Sequence, residues 1–464
     1  MIAAMPRPYQ PRLYSRMIFG QTVKRIALSV ILVTYVLLAT LYAIYTPKWQ
    51  APDEPAHFNY IRNIAETGAL PILQSGDYNQ DYLEQIKAAK FPPTMTIDAI
   101  RYESYQPPLY YLAATPVYLI ARGAGLDAIV IALRLFSVAL GVIVLLVAFN
   151  IVREIFPDDN LLVMATIGLM ATVPMHIAVS ASISNDMAAE LVLVLILWLA
   201  VKRVKNTVTN KRFVILGGII FGAALLTKST AYVTGAVLLI GAEITYQRNT
   251  QHATHFTFYV LVTLFALAAA ISTPMFLRNM LTYGITDPLG LARHDSVVIG
   301  QPTTAEMISQ YGLNHILFDY FAVTFKSFWA QFGWMGVLIN DRIYVALMLL
   351  SAIAVLGLMF YVLRILHRRD LLTSEQWWSL GLLALLLVVG IADYIGYNFK
   401  FFQLQGRYLF PAMISIAFFF VVGLREIITR EYQRIVFALM YVALLGLDVA
   451  CLFLFIVPQL RITN

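Results

Sequence analysis

Charged residues are scarce in this sequence. They make up 13% of its 464 residues, where soluble domains carry about 25%. Cysteine is nearly absent too. Cys451 is the single one, which excludes an intrachain disulfide and leaves the redox compartment unread. No repeat of fixed period and no low-complexity linker appears. A single integral membrane domain over 1–464, with no separate soluble domain, is therefore expected.

Apolar residues dominate instead. They form 60% of the chain, and the mean hydropathy is +0.73. Apolar runs near 20 residues recur along the whole length, enough to cross a ~30 Å hydrocarbon core. The fold class this implies is an all-α polytopic membrane protein. The net charge of +7 would point to an anionic partner in a soluble protein. Here Lys202, Arg203, Lys205, Lys211 and Arg212 gather in one short connection, Arg364, Arg368 and Arg369 in another, and Arg425, Arg430 and Arg434 in a third. That is the positive-inside pattern, so orientation accounts for the charge and nucleic-acid binding has little support.

The amino terminus is basic over 1–25 (Arg7, Arg12, Arg16, Lys24, Arg25) and apolar from Ile26 to Tyr45. A cleaved signal would have a shorter apolar core and a small-residue cleavage site. We expect an uncleaved first span over 26–46 behind a cytoplasmic tail. A polar stretch, 47–107, then opens a first outer segment reaching to 132. Residues 109–121 are too short for a span and suit an interfacial helix. Further spans are expected near 133–152, 161–181, 187–203, 213–229, 231–247, 256–276, 343–366, 377–397, 408–424 and 434–457, about eleven in all. A second outer segment, 277–342, should hold amphipathic helices on the outer face.

The densest chemistry lies directly after the first span, in Trp49-Gln-Ala-Pro-Asp-Glu-Pro-Ala-His-Phe58. Asp53 and Glu54 sit together where the chain leaves the membrane. Asp53 can cap the following helix, and Glu54 can complement its dipole. Equally, a rigidly held carboxylate there can act as general base. His57 follows Glu54 at a spacing found among metal ligands in helix bundles. His294-Asp295 is a second such pair. Neither has the density of a zinc motif, so a transition metal is not expected. A hard divalent cation such as Mg or Mn, held by carboxylates with Glu54 and His57 as the ligands, stays open.

Further along, Tyr102-Glu-Ser-Tyr-Gln-Pro-Pro-Leu-Tyr-Tyr111 closes the polar stretch. Its double proline stiffens the approach to the interfacial helix. Tyr105, Tyr110 and Tyr111 suit an interfacial aromatic belt, while Glu103, Tyr105 and Gln106 are candidate substrate contacts. Cations on the outer side would be needed by an anionic lipid head. The candidates are Lys228, Arg278, Arg342, Lys400 and Arg407, with Arg offering a bidentate match to phosphate. Arg278 and Arg407 lie at span ends, where snorkelling is a sufficient reason for them. Lys228 lies inside a span, and an intramembrane charge is a functional candidate by default. Arg134, Asp186, Glu190 and Asp393 read as structural charges, Asp186 as a cap and Arg134 as the partner of an outer carboxylate.

Taken in order, the acidic pair, Pro107-Pro-Leu-Tyr-Tyr111, Arg134-Leu-Phe-Ser-Val138, Ser184-Asn-Asp186, Thr227-Lys228, the stretch from Arg278 to Gly284, that from Ser327 to Trp334, and Gln405-Gly-Arg-Tyr-Leu-Phe-Pro411 resemble the GT-C glycosyltransferases. The nearest branch is the protein O-mannosyltransferase and aminoarabinose transferase group, together with a bacterial family of multispan predicted membrane proteins. The resemblance implies a sugar donor carried on polyprenyl phosphate and a glycan, lipid or protein acceptor. It also implies inversion at the anomeric carbon, with Asp53 as base and Glu54 beside it, on the outer face of the inner or plasma membrane during cell-envelope glycan synthesis. Some relatives carry Lys or His where this chain has Gln106, so Lys228, Arg278 or Arg407 must meet the phosphate. Two other readings stand beside this one. A transporter or flippase of lipid-linked or amphipathic substrates would use Lys228 and Asp393 to line its path, although no inverted repeat is visible. A non-catalytic envelope-assembly component would need neither carboxylate.

Overall fold

The computed structural model describes residues 11–250 and 254–462, and their side chains from 24 to 250 and from 257 to 462. Of the tail expected over 1–25, residues 1–10 lie outside that range, and the rest begins α1. The first helix, α1 (Pro11–Tyr45), is followed by the loop that carries the acidic pair. Three short helices fold that loop over the bundle: α2 (Glu54–Thr67), α3 (Gln80–Ala88) and α4 (Leu109–Ala121). Helix α4 occupies the segment expected as interfacial. Pro55 in the first turn of α2 suits a position whose N–H has no helical partner, and Gly68 ends it in the left-handed conformation.

The bundle continues with α5 (Leu126–Ile155), α6 (Asn160–Met170), α7 (Pro174–Ser180), α8 (Asp186–Val204), α9 (Asn210–Leu225), α10 (Thr230–Thr250) and α11 (Thr254–Tyr283). Between α6 and α7 the axis bends by 64°, at Pro174, which cannot continue the preceding helix. Three helices then run through the second long connection: α12 (Leu291–Val297), α13 (Thr304–Tyr311) and α14 (Leu313–Trp329). A two-stranded hairpin, β1 (Gln331–Phe332) with β2 (Val337–Leu338), closes it. The chain ends with α15 (Asp341–His367), α16 (Ser374–Asn398), α17 (Met413–Ile427), α18 (Gln433–Ala450) and α19 (Val457–Leu460). Thr303 with Glu306 and Thr373 with Gln376 form capping boxes that start α13 and α16.

Among the described residues, 7 helical segments are long and apolar enough to cross a membrane, or 8 if the bent α6–α7 pair is one span. The chain is thus a multi-pass membrane protein. The expected count of about eleven is higher, and the difference lies in α8, α9 and α10. Helix α8 carries Asp186, Glu190, Lys202 and Arg203, α9 is only 16 residues long, and α10 contains Glu243. Helix α8 is buried along most of its length, whereas α9 exposes Ile215, Leu216 and Ile219. Arg203 donates to Glu243 at 2.7 Å with both side chains buried, tying α8 to α10. By contrast only 22% of the α15 span is buried, against 67% for the span over Gly406–Ile427. Helix α15 therefore faces lipid on most of its surface, while α17 is central.

Two apolar clusters hold the molecule. The larger joins α1, α5 to α11 and α14 to α19. The smaller is built from Trp49, Phe58, Ile61, Leu83, Ile86, Tyr102, Tyr111, Leu133 and their neighbours, and fastens the first loop to the head of α5. Tyr110 and Tyr111, expected in an interfacial belt, are 1% and 0% exposed. They belong to this cluster, where Tyr111 stacks on Tyr60 with ring centroids 3.7 Å apart.

Candidate active site

The loop after α1 separates the two carboxylates of the acidic pair. Trp49 and Asp53 both adopt left-handed backbone, at φ 68° and 67°, a region sparsely used by residues other than glycine, though Asp tolerates it better than most. Glu54 locks this turn. One carboxylate oxygen accepts from Arg134 Nε at 2.8 Å and Ile183 N at 3.2 Å, the other from Arg134 Nη2 at 2.7 Å and Trp49 N at 3.0 Å. Arg134 also donates to the carbonyls of Ala43, Thr46 and Pro47. Glu54 is fully buried, and its four bonds use its accepting capacity. It does not line the cavity into which His57 faces, so in this arrangement the pairing of Glu54 with His57 expected for a metal is not formed.

Asp53 turns the other way. It stands at the first position before α2, yet its side chain makes no capping bond, so the expected cap is not formed. Its carboxylate accepts from Tyr102 Oη at 2.7 Å and is paired with Arg407. Arg407 also lies 3.8 Å from Asp186, which is paired with Lys228. The order Asp53–Arg407–Asp186–Lys228 is a chain of alternating charge along one wall of a cavity of ≈ 370 Å³. Burial alone would raise the Asp53 pKa. The Arg407 charge and the hydrogen bonds from Arg407 and Tyr102 outweigh it and hold the group below the usual carboxylate range.

Four separate elements supply these groups. Lys228 sits in the break between α9 and α10, where Leu226 O accepts from Leu109 N at 2.8 Å. Asp186 opens α8, and Arg407 lies in the short 3-10 helix Gly406–Ala412 that leads into α17. His57 lines the cavity from α2, with Nδ1 2.8 Å from Tyr111 Oη. Burial pushes its pKa down to about 4, so the ring is neutral near pH 7.

Glu103, Tyr105 and Gln106 also line the cavity. Glu103 Oε2 has no hydrogen-bond partner among the described residues. Burial, then the negative charge of Asp53, raise its pKa to about 7. Opposite stand Tyr397 and Tyr408, with ring centroids 5.4 Å apart, and Asp393, which accepts from Thr234 Oγ1 at 2.8 Å.

The other three candidate cations do not line this cavity. Arg278 donates to Leu70 O at 3.3 Å and to Pro71 O, bracing the first loop. Lys400 pairs with Asp295, and Arg342 is exposed at the start of α15. Asp186 and Asp393, read as structural from sequence, belong to the cavity wall. The signal for both was the one that singled out Lys228, a charge inside an apolar run. His294 lines the cavity as well, packed against Tyr105 with centroids 4.5 Å apart. Among the described residues no group of three or more His, Cys, Asp or Glu could hold a metal ion.

The course of the helices matches a known architecture. ArnT from Cupriavidus metallidurans bound to undecaprenyl phosphate superposes with a TM-score of 0.50, covering 95% of this chain and 74% of that one at 14% identity. The fold is GT-C-like. The GT-C-like chain also matches, over residues 106–275, the family described as dolichyl-phosphate-mannose-protein mannosyltransferase. The Archaeoglobus fulgidus oligosaccharyltransferase in complex with Zn and sulfate gives a TM-score of 0.46 at 15% identity, over 93% of this chain and 53% of that one. The archaeal oligosaccharyltransferase AglB from Archaeoglobus fulgidus with an inhibitory peptide and a dolichol-phosphate gives 0.45 at 15%, over 93% and 55%. The chain spans about half the length of these oligosaccharyltransferases. No curated protein matches it in sequence.

Proposed function

We propose that this protein is an inverting glycosyltransferase that moves a sugar from a polyprenyl-phosphate carrier to an acceptor hydroxyl at the outer face of the cytoplasmic membrane. The single observation that carries the reading is the charge chain Asp53–Arg407–Asp186–Lys228 in one cavity. A lipid phosphate needs cations beside it, and an acceptor hydroxyl needs a base. Here both come as preformed pairs. An entering phosphate diester competes with Asp53 for Arg407 and with Asp186 for Lys228. Losing part of its ion pair raises the basicity of Asp53 when the donor is in place.

In the transfer step the acceptor oxygen attacks the anomeric carbon from the face opposite the phosphate. Its proton passes to Asp53. The bond between the anomeric carbon and the phosphate oxygen breaks, and its electron pair stays on the departing polyprenyl phosphate. Arg407 and Lys228 stabilise that developing charge. Tyr397 and Tyr408 offer flat apolar faces for a sugar ring, and Glu103, Gln106 and Asp393 are among the hydrogen-bonding groups that line the cavity for its hydroxyls. The acceptor is a glycan, lipid or protein.

The test is transfer of labelled sugar from polyprenyl-phosphate-linked donor by the purified protein in lipid vesicles. Asp53→Asn is expected to lower kcat on the order of 100-fold or more, the usual weight of a positioned base, while donor still binds. Full turnover in that variant would sink the base assignment. Movement of the lipid across the bilayer with no new glycosidic bond would replace the reaction with transport.

A further inference from the structure

A second cavity opens at the other end of the bundle, about one helix length (~30 Å) from the first along α1. It has a volume of ≈ 1570 Å³ and lies where α1, α6, α15, α17 and α18 meet. Its rim carries Lys24, Arg364, Arg425, Arg430 and Arg434. Two of these are neutralised: Arg364 by Glu426 and Arg425 by Asp159, both at 2.7 Å. Lys24, Arg430 and Arg434 have no ion-pair partner among the described residues. Below the rim the wall turns apolar, with Ala27, Leu161, Met164, Val422 and Ala438. The flank of α18 beside it is exposed and apolar too, with Ile435 at 60% and Leu439 at 64%.

The basic amino-terminal tail cannot supply the missing negative charge. No Asp or Glu occurs before Asp53, so the residues preceding Lys24 add only like charge. Asp158 is the one carboxylate of the lining without an ion-pair partner among the described residues, and it leaves the rim net positive. Orientation of the chain requires cations in this connection. It does not require a cavity, nor an apolar wall under it. A cationic rim over an apolar wall at a bundle's end matches an anionic phospholipid: headgroup on the cations, acyl chains along the wall.

We propose that this cavity binds the headgroup of an anionic phospholipid through Lys24, Arg430 and Arg434, independently of the sugar-transfer site. The probe is the full-length protein in detergent, titrated with phosphatidylglycerol, with phosphatidylcholine and with inorganic phosphate, and read by native mass spectrometry and thermal unfolding. Phosphatidylglycerol should bind and raise the melting temperature, and phosphatidylcholine should not. Each cation near a lipid surface is worth roughly fivefold in affinity, so Lys24→Gln, Arg430→Gln and Arg434→Gln together should weaken binding on the order of 100-fold. The charge-conserving set Lys24→Arg, Arg430→Lys and Arg434→Lys should keep it, which separates lost charge from lost fold. Equal binding of phosphatidylcholine, equal stabilisation by inorganic phosphate, or undiminished binding by the neutral triple variant would each overturn the proposal.

Discussion

Glu54 and Arg134 form the most fully satisfied ion pair next to the cavity, and they do so without entering it. Replacing Arg134 by Met leaves a carboxylate charged in the protein interior with two of its four donors gone. Breaking a buried pair from one side costs about 3–5 kcal/mol. We expect Arg134→Met to lose that much in an unfolding titration. Asp53→Asn also takes a carboxylate from the buried Arg407, but Asp186 remains 3.8 Å from that guanidinium, so its loss of stability should be smaller than that of Arg134→Met. The two neighbours thus separate, one mainly into stability and one into turnover. Glu103 supplies a pH dependence. Its pKa of about 7 leaves it mostly neutral below pH 7 and places a second negative charge beside Asp53 above it. Its folded-state value lies above the unfolded one, so this group also withdraws stability as pH rises towards 7. Affinity for an anionic donor should fall as pH rises through 7. The donor KM should rise accordingly, and Glu103→Gln should flatten that profile. From sequence, Asp53 could be set apart from Glu54, and Arg134 could be read as the partner of an outer carboxylate. That this carboxylate is Glu54 was not legible, because it depends on Ile183 and the left-handed turn at Asp53, which come together only in three dimensions.

At the scale of elements, helices α15 and α17 approach until their backbones touch. A Cβ on Gly423 would overlap the Ala354 carbonyl, and one on Gly357 would overlap the Gly423 carbonyl. Close contact of this kind is how small residues let membrane helices pack. Gly423→Ala must push the helices apart, and overpacking typically costs about 1–3 kcal/mol. The same unfolding titration should show it, and the sugar-transfer cavity, remote from Gly423 along α17, should keep its donor affinity. Helix α15, with only 22% of its span buried, was easy to read from its apolar run. Other helices were harder. Helices α8 and α10 interrupt their apolar runs with charges and α9 is 16 residues long, so by length and composition the roughly eleven expected spans stand as seven or eight among the described residues. Glu190 and Arg203 on α8 and Glu243 on α10 lie in the interior, where His176 and Glu190 meet at 2.9 Å and Arg203 finds Glu243.

Across the whole molecule, the cavity assembles groups from every part of the chain. Asp53 and Arg407 stand 354 positions apart, and Asp186 at the start of α8 and Lys228 in the break between α9 and α10 join them. That distance explains which cations could be chosen from sequence. Lys228 and Arg407 reach the cavity, while Arg278, Arg342 and Lys400 serve the loop, the start of α15 and Asp295. All five sit at similar places relative to their helix ends, and only the packing of those ends distinguishes them. The central claim is that this cavity receives a lipid phosphate. The most direct test is a structure of the protein with added polyprenyl phosphate. The account predicts the phosphate within hydrogen-bond distance of Arg407 and Lys228, with Asp53 released from Arg407. A lipid phosphate bound elsewhere, with the Asp53–Arg407 and Asp186–Lys228 pairs intact, would contradict it.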